Sequence, residues 1–201
     1  MASHRFILAS ASPRRQTLLR DAGYEFDVDP ADINEEDYPQ GMLPSAIALR
    51  LAEAKARAVA ARHPEDAILA ADTVVAFGDQ SLGKPADAAQ AKKMLQLLSG
   101  TTHLVITGVC VMRQSVPFFK CTRVMSAVKM RFLTPSEVER YVESKDWEGK
   151  AGGYGIQDQD PFVTRQSGSH TNIVGLPMSA ARQLLEEAGI KPAQNPGSAV
   201  G

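Results

Sequence analysis

The segment Ser10-Ala11-Ser12-Pro13-Arg14-Arg15 sets two hydroxyls, a proline and two guanidinium groups after an apolar run, Phe6-Ile7-Leu8-Ala9, and ahead of a stretch of helical character. It reads as a strand, a tight turn and a helix start. Ser12 suits the N-cap and Pro13 the first helical position, so the free amides that follow mark a place where anions bind. Cations in a first helical turn oppose the helix dipole by roughly a few tenths of a kcal/mol, so Arg14 and Arg15 stand where Asp or Glu would be favoured. An anionic ligand resolves that conflict; the alternative is two solvated arginines on an ordinary surface helix.

Asp72 interrupts a nearly continuous apolar run over 67–77. A carboxylate there needs a partner, because its desolvation costs several kcal/mol unless it is paired, hydrogen-bonded or metal-bound. The partner could be Mg²⁺ or a water to be deprotonated, or Asp72 could cap a neighbouring turn. Glu35, in an acidic loop with Asp32, Asn34, Glu36 and Asp37, offers a second carboxylate, although such acids are often simply solvated. Lys84 sits in Leu82-Gly83-Lys84-Pro85, and Lys55 lies among small residues that would let its stem reach inward, against the ordinary reading of a solvated lysine. Taken together, Glu35, Asp72, Lys55, Lys84, Arg14, Arg15, Ser10 and Ser12 are an inventory for a polyphosphate with one or two divalent ions, which bind through few carboxylates plus substrate oxygens.

A glycine-dense loop, Lys150-Ala151-Gly152-Gly153-Tyr154-Gly155-Ile156-Gln157-Asp158, carries the remaining candidate. Its glycines permit close backbone approach or positive φ, and the Gln157 amide offers an acceptor and paired donors that match N3–H and O4 of uracil or thymine. Glycine-rich loops have many other uses.

These residues need a scaffold, and the hydrophobic pattern predicts one. A strand over 5–9 and a helix over 13–22, closed by Gly23, open the chain; a half-buried strand over 24–29 and the acidic loop follow. The surest helix runs over 45–62, with Ile47, Leu51, Ala54 and Ala58 at helical spacing. The 67–77 run is a strand covered on both faces, 78–83 a turn, and 87–98 a helix stopped by Gly100. Long strands are expected over 104–112 and 118–132, the second placing Val124, Val128, Met130 and Phe132 on one face. Thr134-Pro135-Ser136-Glu137 is a capping box that starts a helix to about 145, and a last helix spans 177–188. Residues 1–190 read as one domain and 191–201 as a disordered tail.

Composition sets bounds. With 22 basic and 23 acidic residues the net charge is −1, so no global field draws a nucleic-acid polymer or an anionic membrane, and any phosphate site is local. No apolar stretch approaches the roughly 20 residues of a membrane span, which predicts a cytoplasmic protein. Cys110 and Cys121 would face each other in a hairpin turning near Ser115; in a reducing compartment they are expected as half-buried free thiols. No cysteine or histidine spacing fits structural zinc, and His4, His63, His103 and His170 read as surface or satisfied core residues.

Four motifs in order, Leu8-Ala9-Ser10-Ala11-Ser12-Pro13-Arg14-Arg15, Ala71-Asp72-Thr73-Val74-Val75, Gly83-Lys84-Pro85 and Lys150-Ala151-Gly152-Gly153-Tyr154-Gly155-Ile156-Gln157, resemble the Maf family of nucleoside triphosphate pyrophosphatases, from 7 to about 189. The resemblance implies an α/β fold of the inosine-triphosphatase type, an elongated mixed β-sheet flanked by helices with two lobes around a central cleft. It also implies hydrolysis of a nucleotide to its monophosphate and pyrophosphate with Mg²⁺ or Mn²⁺, often by a homodimer. By position it makes Asp72 the proton acceptor, Arg14, Thr73 and Gln157 the specificity residues, and Ser10, Arg15, Glu35, Lys55 and Lys84 the phosphate and metal pocket. The branch acting on dTTP and UTP fits best. A branch acting on 7-methyl-GTP places Trp, Gln and Glu where this chain has Arg14, Thr73 and Gln157, as a cationic base would require. A nucleotide-binding regulator linked to cell division is the rival reading. A phosphomonoesterase using Ser10 or Ser12 is disfavoured because no His or Lys motif beside either serine would activate it.

Overall fold

The structure is a computed structural model and describes residues 5–158 and 162–193. Seven strands form one mixed sheet. In chain order they are β1 (Arg5–Leu8), β2 (Glu25–Val28), β3 (Ala67–Phe77), β4 (Gln80–Leu82), β5 (Thr102–Arg113), β6 (Phe118–Met130) and β7 (Val163–Ser167). The order across the sheet is β2-β1-β3-β5-β6-β7, with β4 joined to β3 alone. β1 runs parallel to β2 and β3; β3, β5, β6 and β7 are antiparallel in succession. The helices are α1 (Pro13–Asp21), α2 (Pro44–Ala60), α3 (Ala88–Leu98), α4 (Pro135–Ser144), α5 (His170–Val174) and α6 (Met178–Glu187). The expected α/β architecture with an elongated mixed sheet flanked by helices is therefore present.

The alternation of β3 builds the layers. Ala67, Leu69 and Ala71 join a core with Leu19 of α1 and Leu184 and Leu185 of α6, and Val75, on the same face, joins a second core with α3 and α4. On the opposite face Ile68 and Ala70, then Val74 and Ala76, pack under α2. Asp72 and Thr73 are the polar break on each face, between cores at the two ends of the strand.

The edge of β3 is split at the same place. β1 occupies that edge at Ile68 and Leu69, β4 at 75–77, and β5 fills the other edge from Ala67 to Ala76. The stretch between β1 and β4 opens into a crevice beyond the carboxyl end of β1, where ligands bind in open α/β sheets.

Several expectations need correction. The turn over 78–83 contains β4, whose three residues are too few to show periodicity. The second long strand ends at Met130, and Phe132 is 72% exposed. The strand near 24–29 is mostly exposed because β2 is an edge strand. Cys110 and Cys121 are bonded to each other as a disulfide, since the β5–β6 register sets them directly opposite at a Cα separation of 4.1 Å. β7 and α5 had no counterpart in the sequence reading. Of the segment read as a disordered tail, Ala193 donates its N–H to the Gly23 carbonyl at 2.9 Å, and 194–201 lie outside the described residues, as does His4. Among the described residues no helix is long and apolar enough to cross a membrane.

Candidate active site

A cavity of about 520 Å³ lies in the crevice, and its wall takes in Ser10, Ser12, Arg14, Arg15, Glu35, Lys55, Asp72, Thr73, Lys84 and Gln157. All the candidate site residues thus meet at one place, brought from six separate stretches of chain.

Its polar end begins at α1. Ser12 holds the N-cap position with Pro13 behind it, as expected, but its hydroxyl makes no cap bond; its own N–H donates to Ser10 Oγ at 3.3 Å. Gln16 N–H makes the first helical bond, to the Ser12 carbonyl at 3.2 Å, so the amides of Arg14 and Arg15 have no helical acceptor. Arg15 turns inward and is buried. Its Nε donates to the Gly175 carbonyl at 2.8 Å, Nη1 to Ser10 Oγ at 2.9 Å and Nη2 to Thr73 Oγ1 at 3.1 Å. All three acceptors are neutral, so positive charge is delivered to the cavity wall without a directly bonded carboxylate. Burial lowers the Arg15 guanidinium, and the Asp72 and Glu35 carboxylates oppose that shift. Arg14 is half-buried and reaches the other way, donating to the Gly149 carbonyl at 3.1 Å.

Opposite stands a relay of charges. Lys55 is 6% exposed, and its Nζ donates to Asp72 Oδ1 at 2.6 Å and to Glu35 Oε1 at 2.7 Å. Lys84 Nζ donates to the two oxygens of Glu35 at 3.1 and 2.9 Å. Burial pushes the Glu35 carboxyl up, but the hydrogen bonds from Lys55 and Lys84 outweigh it and hold it down to about 2. Lys55 is no solvated lysine because α2 lies close on the sheet: Ala48, Ala52 and Ala56 are fully buried, and only small side chains let the backbones approach. Among the described residues no three His, Cys, Asp or Glu converge as a metal site. Glu35 and Asp72 nonetheless aim oxygens at one shared cation, the Lys55 ammonium.

The other end is apolar, walled by Val75, Val105, Tyr154, Ile156 and Ile173. The glycine loop closes it. Gly152, at φ 70°, donates its N–H to the Gly83 carbonyl at 2.9 Å, tying the loop to the Gly83-Lys84-Pro85 turn; a Cβ there would come within 2.8 Å of Val75 Cγ2. Gln157 is exposed at the cavity rim, and its side chain makes no hydrogen bond among the described residues. Behind this wall Tyr154 Oη and His103 Nε2 are 2.5 Å apart, with His103 Nδ1 buried and unpartnered. His103 is thus core, but only half satisfied.

Sequence reasoning missed the supports of Arg15. Thr73 Oγ1 meets Thr107 Oγ1 at 2.9 Å, Thr107 donates to the Asn172 carbonyl at 3.3 Å, and Asn172 Nδ2 donates to Val105 O at 3.0 Å and Ser126 Oγ at 2.9 Å. Thr107 of β5, Ser126 of β6 and Asn172 of α5 are all buried, and only their polar character among apolar neighbours could have flagged them. Gly175, at φ 122°, turns its carbonyl to Arg15.

Comparison with known proteins gives the family of the chain. A family model described as Maf-like protein matches residues 5–188. A dTTP/UTP pyrophosphatase of Roseobacter denitrificans is 46% identical over 190 residues, covering 94% of this chain and 99% of that protein. Proteins of the same name from Cereibacter sphaeroides and Hyphomonas neptunium are 48% and 49% identical, each over 92% of this chain and over 95% and 96% of their own lengths.

Proposed function

The chain belongs to the Maf family, and on that premise we propose that it is a nucleoside triphosphate pyrophosphatase of the cytoplasm acting foremost on dTTP and UTP. It cleaves between the α- and β-phosphates, giving the monophosphate and pyrophosphate. The observation that carries this reading is the two-ended cavity: an apolar compartment for a base, continuous with a set of two carboxylates and three cations suited to a triphosphate, of which Asp72, Lys55 and Arg15 are buried and Glu35 and Lys84 face the opening.

The donor set fits Mg²⁺ or Mn²⁺, because Glu35 and Asp72 bring hard oxygens together around the Lys55 ammonium and such ions take their other ligands from phosphate and water. When bound, the ion neutralises charge on the triphosphate and polarises a water. The protein's own groups do the rest. Asp72 accepts the proton of the water that attacks the α-phosphorus, using Oδ2, the oxygen that Lys55 does not engage. Arg15 and Lys84 stabilise the charge that develops on the departing pyrophosphate, Arg15 from a fixed position and Lys84 by exchanging Glu35 for phosphate. The free amides of Arg14 and Arg15 receive phosphate oxygens at the start of α1. Gln157 reads the base, its amide donating to O4 and accepting from N3–H.

Incubating the protein with a panel of nucleoside triphosphates and Mg²⁺, then identifying the products, tests this directly. Monophosphate and pyrophosphate in equal amounts, fastest from dTTP and UTP, are expected. Orthophosphate without pyrophosphate would mean cleavage at the γ-phosphate, and binding without turnover would favour the regulator.

A further inference from the structure

Gln157 has no partner of its own among the described residues, so something else must hold it at the rim, and Asp158 is placed to do so. Its carboxylate gathers three donors: Tyr141 Oη at 2.5 Å and the Gly155 N–H at 2.9 Å on Oδ2, and the Lys150 ammonium on Oδ1. The bond to Gly155 closes a four-residue turn whose middle residues are Ile156 and Gln157, both on the cavity wall. The turn is tight enough that a Cβ on Gly155 would come within 2.6 Å of Asp158 Oδ1. Lys150 and Asp158 have side chains only 14% and 12% exposed, so the pair is a partly buried ionic foot to the loop, while Tyr141 anchors it to α4 from outside the cavity. Arg14 is bonded to the same loop through the Gly149 carbonyl.

We propose that Asp158 is the positioning residue behind pyrimidine selectivity: bound by Tyr141, Lys150 and the Gly155 amide, it fixes the turn that presents Gln157 to the base. The inference rests on the reading of Gln157 as the base-reading group. Asp158 stands on the same cavity wall as Gln157, but its carboxylate is taken up by Tyr141, Lys150 and the Gly155 amide, so its part is to position Gln157. It acts by removing the freedom that Gln157 would otherwise have to lose on each binding event, and a misplaced amide costs the pyrimidine its hydrogen bonds while leaving the phosphate end intact.

Tyr141→Phe is the mild probe, since it deletes one donor to Asp158, keeps the ring and lies outside the cavity; Asp158→Ala is the severe one. In both, kcat/KM is measured for dTTP, UTP, dATP and dGTP. The expected result is a fall in the pyrimidine-to-purine ratio of about tenfold in Asp158→Ala and about threefold in Tyr141→Phe, with purine values in Tyr141→Phe within about twofold of wild type. In a Gln157→Ala background, Tyr141→Phe should leave the ratio unchanged, because the coupling runs through that amide. If Asp158→Ala fails to fold, Tyr141→Phe and this double variant decide the matter. Equal losses on all four substrates, or an unaltered ratio in a selective enzyme, would overturn the role of Asp158 alone. A wild-type enzyme that hydrolyses all four equally would overturn the pyrimidine reading and this selectivity role together.

Discussion

Across the β3–β5 ladder Asp72 faces Gly108, and a Cβ on Gly108 would stand 2.3 Å from the Ala48 carbonyl oxygen of α2. The helix backbone therefore rests on the sheet immediately beside the buried carboxylate. Lys55 lies two helical turns beyond Ala48 and so returns to the same face, which lets its Nζ reach Asp72 at 2.6 Å. A residue with no side chain sets the reach of one that has the longest aliphatic stem in the site.

Gly108→Ala should consequently act at a distance. The added methyl must push α2 outward, at about 1–3 kcal/mol of stability for an overpacked core. It also draws Lys55 from Asp72, so kcat should fall severalfold although Gly108 is not on the cavity wall. Urea midpoints and turnover measured well below the melting temperature check this; an unaltered kcat would separate helix position from catalysis.

Asp72→Asn keeps the shape and an acceptor for Lys55 while removing the proposed proton acceptor. Turnover should drop about a hundredfold to ten-thousandfold, with nucleotide affinity retained in calorimetry. Turnover near that of wild type would remove Asp72 from the mechanism.

Thr73 is a specificity position by resemblance, yet its hydroxyl is engaged by Arg15, Thr107 and the Gly175 carbonyl. Thr73→Val leaves a buried guanidinium N–H unpaired, which costs about 1–3 kcal/mol. With Arg15 in its proposed role on the phosphates, kcat/KM should fall by a similar factor for dTTP, UTP and dATP. A loss confined to the pyrimidines would show instead that Thr73 reads the base.

How much of this was legible from the chain depends on how far each signal reaches. The start of α1, the Thr134 capping box and the nearly continuous apolarity of β3 are local patterns, and each element lies where its pattern put it. Lys55 was ambiguous because an inward lysine looks the same in sequence as a solvated one; only the approach of α2 at Gly108 decides. Glu35 is fixed by Lys55 and Lys84, partners 20 and 49 residues away. Cys110 and Cys121 were recognised as neighbours, but whether they bond depends on register and chemistry together. Thr107 and Asn172 were invisible because their partners come from other strands and from α5, which is too short to show a period.

His103 predicts an acid-side loss of stability. Burial lowers its imidazole from 6.5 to about 4. Between those values the unfolded chain binds a proton that the folded one refuses, so stability is full above pH 6.5 and declines as pH falls toward 4. The slope is about 1.4 kcal/mol per pH unit, and about 3 kcal/mol is lost by pH 4. Subtracting the pH profile of His103→Gln from that of wild type in urea denaturation isolates the effect from that of the carboxylates. A flat difference between pH 4 and 6.5 would show that His103 is protonated in the fold.

Gln157→Glu tests the base end most directly. In the proposed contact the amide donates to O4 and accepts from N3–H at once, whereas a carboxylate can only accept, leaving O4 unpaired and adding charge beside Asp158 and near the triphosphate. A lost hydrogen bond with its partner unsatisfied costs about 1–3 kcal/mol, or about tenfold to a hundredfold in kcat/KM. dTTP and UTP hydrolysis should fall by that order with the melting temperature little changed, because Gln157 is exposed and bonded to nothing in the described fold. Purine nucleotides, which never made this bond, should lose less. Equal losses across both classes would assign Gln157 to the phosphates or to the loop, and with it the selectivity would have to be sought among the apolar walls at Val75, Val105 and Ile173.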